Sequence, residues 1–154
     1  MIQLKEGIKA PGFEGINQNG NTVKLSDFTG KKLVLYFYPK DNTPACTAEA
    51  CNLRDNYNSF LNKGFAVVGV SSDTEKSHKR FADKFNLPFP IIADTSKKIL
   101  NDYGVWGEKK MFGKSYSGII RTTFIVNEKG VIEKIINKVD TAGHTKQIFD
   151  MYNK

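Results

Sequence analysis

The chain has 154 residues, 40% hydrophobic and 25% charged, with a net charge of +7. That length suits a single domain, residues 1–154, with a sizeable core, and the composition is that of a globular chain rather than a disordered or collagenous one. No apolar run approaches the roughly 20 residues that span a bilayer, the opening MIQLKEGIKAPGF lacks the apolar core of a signal peptide, and the lysine excess comes without a basic helix or an aromatic–basic motif. Membrane and nucleic-acid partners are therefore set aside, and a cytoplasmic protein with a solvated lysine surface is expected.

In chain order, Phe13 to Leu25 reads as a small hairpin turning at Asn19-Gly20, and Ser26 to Gly30 as a turn. LVLYFY, Leu33 to Tyr38, is a continuous apolar run between Lys32 and Pro39, which suits a strand covered on both faces. A helix is predicted from Pro44 to Leu61, followed by a second buried strand, FAVVGVS, from Phe65 to Ser71. This strand–helix–strand unit makes the two strands parallel. Thr74 caps a helix to Phe85 that Leu87-Pro88 ends; Phe89 to Ala93 is a short strand, and Ser96 opens a helix to Tyr103. Gly104 to Gly118 is predicted as a long loop. Thr122 to Val126 and Val131 to Ile136 are strands joined by Asn127-Glu128-Lys129-Gly130, and a last helix runs from Gly143 to Tyr152. The order predicts an α/β fold: an N-terminal hairpin, then a central mixed sheet with helices on both faces.

The chain's two cysteines, Cys46 and Cys51, both lie in the stretch PKDNTPACTAEAC. A reducing compartment favours catalytic, redox or metal roles over a permanent staple. Thr43 is a good N-cap and Pro44 fits the first helical position, so Cys46 falls in the first turn, where free N–H groups and the helix dipole favour thiolate over thiol. Cys46 also heads an apolar stripe with Ala50, Leu53, Tyr57 and Phe60/Leu61, whereas Cys51 lies about 140° round the helix, among polar neighbours. Five helical positions separate the Cα atoms by roughly 8.6 Å, beyond the roughly 7 Å limit for a disulfide. A bond between the two thiols therefore requires the first turns to unwind. A passive core role is credible for Cys46 alone but poor for the pair. A metal site built from Cys46, Cys51, His78 and His144 would lack the close C-x₂-C spacing of a zinc knuckle.

Pro39-x-x-x-Thr43-x-x-Cys46 resembles the active-site motif of the peroxiredoxins, and Cys46-Thr-x-Glu49-x-Cys51 resembles their bacterioferritin-comigratory-protein (peroxiredoxin Q) subfamily. Pro11-Gly12-Phe13, Leu87-Pro88-Phe89-Pro90, Tyr103-Gly104-Val105-Trp106 and Arg121-Thr122-Thr123-Phe124 extend the resemblance over essentially the whole chain. Ala45 stands where the family usually has Gly. The resemblance implies a thioredoxin-like fold and thiol-dependent reduction of hydrogen peroxide and organic hydroperoxides without a cofactor or metal. It also implies Cys46 as peroxidatic and Cys51 as resolving cysteine, with thioredoxin as reductant.

By the same resemblance Arg121 and Thr43 are donors to the reacting atoms, and Pro39 shapes the loop. Pro44 starts the helix. For Glu49 the preferred reading is helix support, and for Arg54 either help to the Cys51 thiolate or a solvated charge. His78 reads as packing or surface. Trp106, Met111 and Phe112 would wall the site, face a partner or pack. An intramolecular resolving cysteine permits a monomer. A disulfide reductase of the C-x-x-C kind is disfavoured by the C-x₄-C spacing, and a non-enzymatic redox sensor is the other alternative.

Overall fold

A computed structural model describes residues 4–111 and 113–152. Its centre is a five-stranded sheet in which β3 (Lys32–Phe37) lies between β4 (Phe65–Ser71) and β8 (Thr122–Val126). β5 (Ile91–Ala93) and β9 (Ile132–Ile136) form the edges. β3, β4 and β5 run parallel, whereas β8 and β9 are antiparallel to their neighbours, so the sheet is mixed as expected. The buried apolar runs form its middle because both faces are covered. Alternation along β3 sends Leu33, Leu35 and Phe37 into one core cluster and Val34, Tyr36 and Tyr38 into the other.

The first cluster is closed by α4 (Lys98–Asp102) and the N-terminal hairpin of β1 (Glu14–Ile16) and β2 (Thr22–Lys24). The second is closed by α1 (Pro44–Asp55), α2 (Tyr57–Asn62), α3 (Glu75–Phe85) and α5 (His144–Asp150). Gly69 of β4 pairs with Tyr36, and a Cβ at Gly69 would stand 2.9 Å from the Tyr36 ring, so the close approach requires glycine. Phe60, fully buried, packs on Phe149 and Phe65 at centroid distances of 4.7 and 5.8 Å. Phe60→Ala is expected to cost about 3–5 kcal/mol of stability in denaturant unfolding; a loss below about 1 kcal/mol would show that the α2 contact contributes little.

The structure corrects two sequence expectations. The segment expected as a long loop is a β-hairpin, β6 (Trp106–Met111) with β7 (Lys114–Ile119), turned through Gly113 at φ +76°. The helix expected to reach Leu61 is broken at Asn56, whose φ of −112° and ψ of 12° are not helical and whose side-chain amide donates to the Asn52 carbonyl. A side chain that bonds nearby backbone in this way competes with helix continuation. Smaller differences are that β5 starts at Ile91 and α4 and α5 are shorter than expected. No described helix is long and apolar enough to cross a membrane.

Candidate active site

The C-terminal end of β3 feeds the loop Tyr38 to Thr43, and that loop feeds α1. β8 runs antiparallel to β3 with Thr122 opposite Phe37, so the residue before Thr122 arrives where α1 begins. This pairing brings Arg121 to Cys46 across 75 positions of sequence. Arg121 is itself held by its neighbours: Ile120 N–H donates to the Val105 carbonyl, and the Thr122 hydroxyl donates to the Ile120 carbonyl.

Cys46 is buried at 2% exposure in the first turn of α1. Arg121 Nη2 donates to its sulfur at 3.2 Å, and Nη1 donates to Glu49 Oε1 at 2.7 Å. Burial works against the guanidinium charge, but Glu49 and Cys46 outweigh it and raise Arg121 above its ordinary value. Glu49 is fully buried. Burial raises its carboxyl to about 7 against the lowering pull of Arg121. Helix support is therefore the wrong reading of Glu49, which is a buried partner of the arginine that faces Cys46. The signal was present: Cys46, Glu49, Ala50 and Leu53 recur at i, i+3, i+4, i+7, which places a carboxylate inside the apolar stripe.

Thr43 has the extended backbone of an N-cap, and its carbonyl accepts the first helical bond from Thr47 N–H at 2.8 Å. Its hydroxyl does not cap the helix. It donates instead to the Lys40 carbonyl at 2.9 Å, which corrects the side-chain half of the capping expectation. Pro44 is exposed at the first position of α1, and Pro39 is half-buried just after β3. Cys51 is half-buried further along α1, and both thiols are free. Arg54 does not serve Cys51: it pairs with Asp55 at 2.8 Å and donates to the Phe85 carbonyl at 2.7 Å.

The loop is clamped from outside. Asp41 is buried and accepts from the Tyr38 hydroxyl at 2.5 Å and the Ser77 hydroxyl at 2.8 Å, with His78 Nδ1 at 2.7 Å. Its own N–H donates to Asp73 at 2.8 Å. His78, expected as packing or surface, thus ties the loop to α3, and its Nε2 donates to the Ile92 carbonyl at 3.1 Å. Burial, with Asp41 beside it, raises the Tyr38 hydroxyl well above its usual range.

Cys46, Cys51, His78 and His144 do not converge as metal ligands. Among the described residues, the group close enough to hold an ion is Asp41, Asp73 and His78, whose ligand atoms are engaged in these hydrogen bonds. Trp106 packs partly into the first core cluster beneath Lys97, 5.0 Å from its ring, and Phe112 lies outside the described residues. A groove of about 670 Å³ lined by Phe13, Phe28, Leu33 and Val126 opens at the other end of β3, away from Cys46.

A buried cysteine at a helix start, with a guanidinium donating to its sulfur on a mixed-sheet fold, defines a thiol redox enzyme. The AhpC/TSA family model matches residues 7–135, and the chain belongs to that family as a peroxiredoxin of the Bcp (peroxiredoxin Q) type. It is 45% identical over 146 residues to peroxiredoxin Bcp of Bacillus subtilis, covering 95% of this chain and 93% of that one. The solved structure of PrxQ from Xylella fastidiosa superposes with a TM-score of 0.91 at 29% identity, covering 99% of this chain and 97% of that one. That of the Xanthomonas campestris bacterioferritin comigratory protein, described as reducing alkyl peroxides, gives 0.87 at 31% identity, with 96% of each chain covered. The thioredoxin-like fold and the thiol peroxidase class are thereby established.

Proposed function

We propose that the protein reduces hydrogen peroxide and alkyl hydroperoxides through Cys46, resolves the product with Cys51 and is recycled by thioredoxin or a similar dithiol. Cys46 thiolate attacks one peroxide oxygen, the O–O bond breaks, and the departing alkoxide or hydroxide takes a proton from solvent. Cys46 is then a sulfenic acid, oxidised by two electrons. Cys51 thiol condenses with it to a disulfide and water, and thiol–disulfide exchange with the reductant restores both thiols. The observation that carries this reading is Arg121 Nη2 at 3.2 Å from the Cys46 sulfur, because negative charge spreads from that atom over two oxygens in the transition state. Thr43 would give its hydroxyl hydrogen to the incoming peroxide in place of the Lys40 carbonyl, with Pro39 and Pro44 framing the loop and helix start. The chain would work as a monomer in the cytoplasm.

The test is peroxide consumption coupled to thioredoxin, its reductase and NADPH. The unsubstituted protein is expected to turn over, and Cys51→Ser to stop after about one equivalent with Cys46 trapped as sulfenic acid. Full thioredoxin-linked turnover in Cys51→Ser would remove Cys51 from the resolving role.

A further inference from the structure

Glu49 Oε2 is buried and, among the described residues, has no hydrogen-bond partner. It lies 3.5 Å from His144 Nε2, and both side chains are fully buried. The far side of the imidazole fixes its tautomer. Gln147 Nε2 donates to the Lys138 carbonyl at 2.8 Å and Gln147 Oε1 accepts from Asp140 N–H at 2.9 Å, so the oxygen is the atom 2.9 Å from His144 Nδ1. Nδ1 therefore carries the hydrogen, and Nε2 presents a lone pair. Nε2 lies 2.9 Å from the Thr123 hydroxyl and 3.5 Å from Glu49 Oε2, an oxygen that, when ionised, also only accepts. The Thr123 hydroxyl can donate to Nε2, so Oε2 is the buried acceptor left unsatisfied, and a proton on Oε2 shared with Nε2 satisfies it.

We propose that Glu49 and His144 hold one buried proton in common, and that His144 is thereby a positioning residue that sets how Arg121 divides its charge between Glu49 and the Cys46 sulfur. The role at Cys46 rests on the peroxidase reading above. Burial raises Glu49 to about 7 and lowers His144 to about 4, so the proton resides on Glu49 Oε2 and points at the imidazole. The Thr123 hydroxyl rotates: it donates to Nε2 when Glu49 is ionised and yields the lone pair when Glu49 is protonated. The charged and titratable groups facing the pair are Arg121 ahead of β8, Cys46 on α1, Tyr36 on β3 and Asp140 ahead of α5. Arg121 opposes the proton on either partner, and Asp140 favours it on His144. With Glu49 neutral, the guanidinium charge is undivided and falls on the sulfur and the departing oxygen. With Glu49 ionised, it is shared.

The experiment has two arms. Rapid-quench mass spectrometry on Cys51→Ser gives the rate of Cys46 oxidation by peroxide from about pH 5 to about pH 9. Corrected for the thiolate fraction, that rate is expected to fall on the order of tenfold across a transition near pH 7, a partial form of the loss seen when a preorganised donor is removed. Glu49→Gln keeps an acceptor for Arg121 and cannot ionise, so in that background the transition disappears. His144→Asn puts an amide donor beside Oε2, which favours the carboxylate and moves the transition toward acid by about one pH unit or more.

The second arm needs no substitution: the ¹⁵N resonance of His144 Nε2 in the reduced protein is expected to shift with the same midpoint. A flat Nε2 resonance over that range, or a rate transition that survives Glu49→Gln, overturns the proposal. If peroxide oxidises Cys46 in none of the proteins while Nε2 still titrates, the shared proton stands and its role at Cys46 falls with the peroxidase reading.

Discussion

Peroxide consumption is expected to vanish in Cys46→Ser and to fall by about 10²–10³-fold in Arg121→Met. Serine supplies the shape of Cys46 but no thiolate at neutral pH, so the first step has no nucleophile. Methionine keeps an unbranched stem, two heavy atoms shorter than arginine, and donates no hydrogen bond. The sulfur then loses its donor at 3.2 Å, and Glu49 loses its partner at 2.7 Å. Removing one partner of a buried pair strands the other, so Glu49 would shift still further toward its protonated form. Arg121→Lys is expected to recover little, because one ammonium cannot reproduce a planar fork that bonds sulfur and carboxylate together. The measurement is single-turnover oxidation of Cys46 in the Cys51→Ser background, with circular dichroism to check the fold. A loss under about threefold in Arg121→Met would mean that its contact with sulfur does not act in the transition state.

The parts of this fold that were legible in sequence are those whose signal is hydrophobic. LVLYFY and FAVVGVS announced buried central strands because both faces of β3 and β4 are covered. The β6–β7 hairpin was missed because WGEKKM and KSYSGI have almost no apolar period to read; among its described side chains, Trp106 and Ile119 join the core. The break at Asn56 was missed because the apolar stripe does recur across it, from Leu53 to Phe60, while the amide that bends the chain acts through a local bond. At the site, the helix-start placement of Thr43 and Cys46 was readable from the sequence, whereas the donor role of Thr43 and the resolving role of Cys51 rest on resemblance. Arg121 was raised above a surface cation only by resemblance, since strand pairing, not sequence proximity, delivers it. His144 was raised only as a metal ligand: its neighbours Glu49 and Thr123 come from α1 and β8 and meet it only in the folded core.

Oxidation of the cysteine pair is expected to unwind residues 44–51 and leave the chain from Asn52 onward in place. The boundary follows from Asn52, whose side chain donates to the Ala142 carbonyl at 3.0 Å and accepts from Thr145 N–H at 2.8 Å, tying α1 to the start of α5. Leu53, fully buried, reinforces it. Ahead of that anchor the buried side chains are Cys46, Glu49 and Ala50, so opening forfeits little apolar burial. Glu49 makes the opening depend on pH. Its carboxyl sits at about 7 in the closed helix and returns toward its ordinary 4.5 once exposed. Below about pH 4.5 it is protonated in both forms and contributes nothing. Between the two values the open form ionises first, so rising pH favours opening, and above about pH 7 the full effect, on the order of 3 kcal/mol, is present. Amide exchange on the reduced protein, corrected for its intrinsic rate at each pH, is expected to show protection over residues 47–55, whose helical acceptors are the carbonyls of residues 43–51, falling as pH rises through this window. Glu49→Gln should remove that dependence. In the disulfide form the same amides, whose acceptors lie in the unwound segment, should exchange freely while that of Phe60, which donates to the Asn56 carbonyl, stays protected. An intact first turn in an intramolecular disulfide would contradict the helical separation of the two thiols, and loss of protection past Asp55 would remove Asn52 as the hinge.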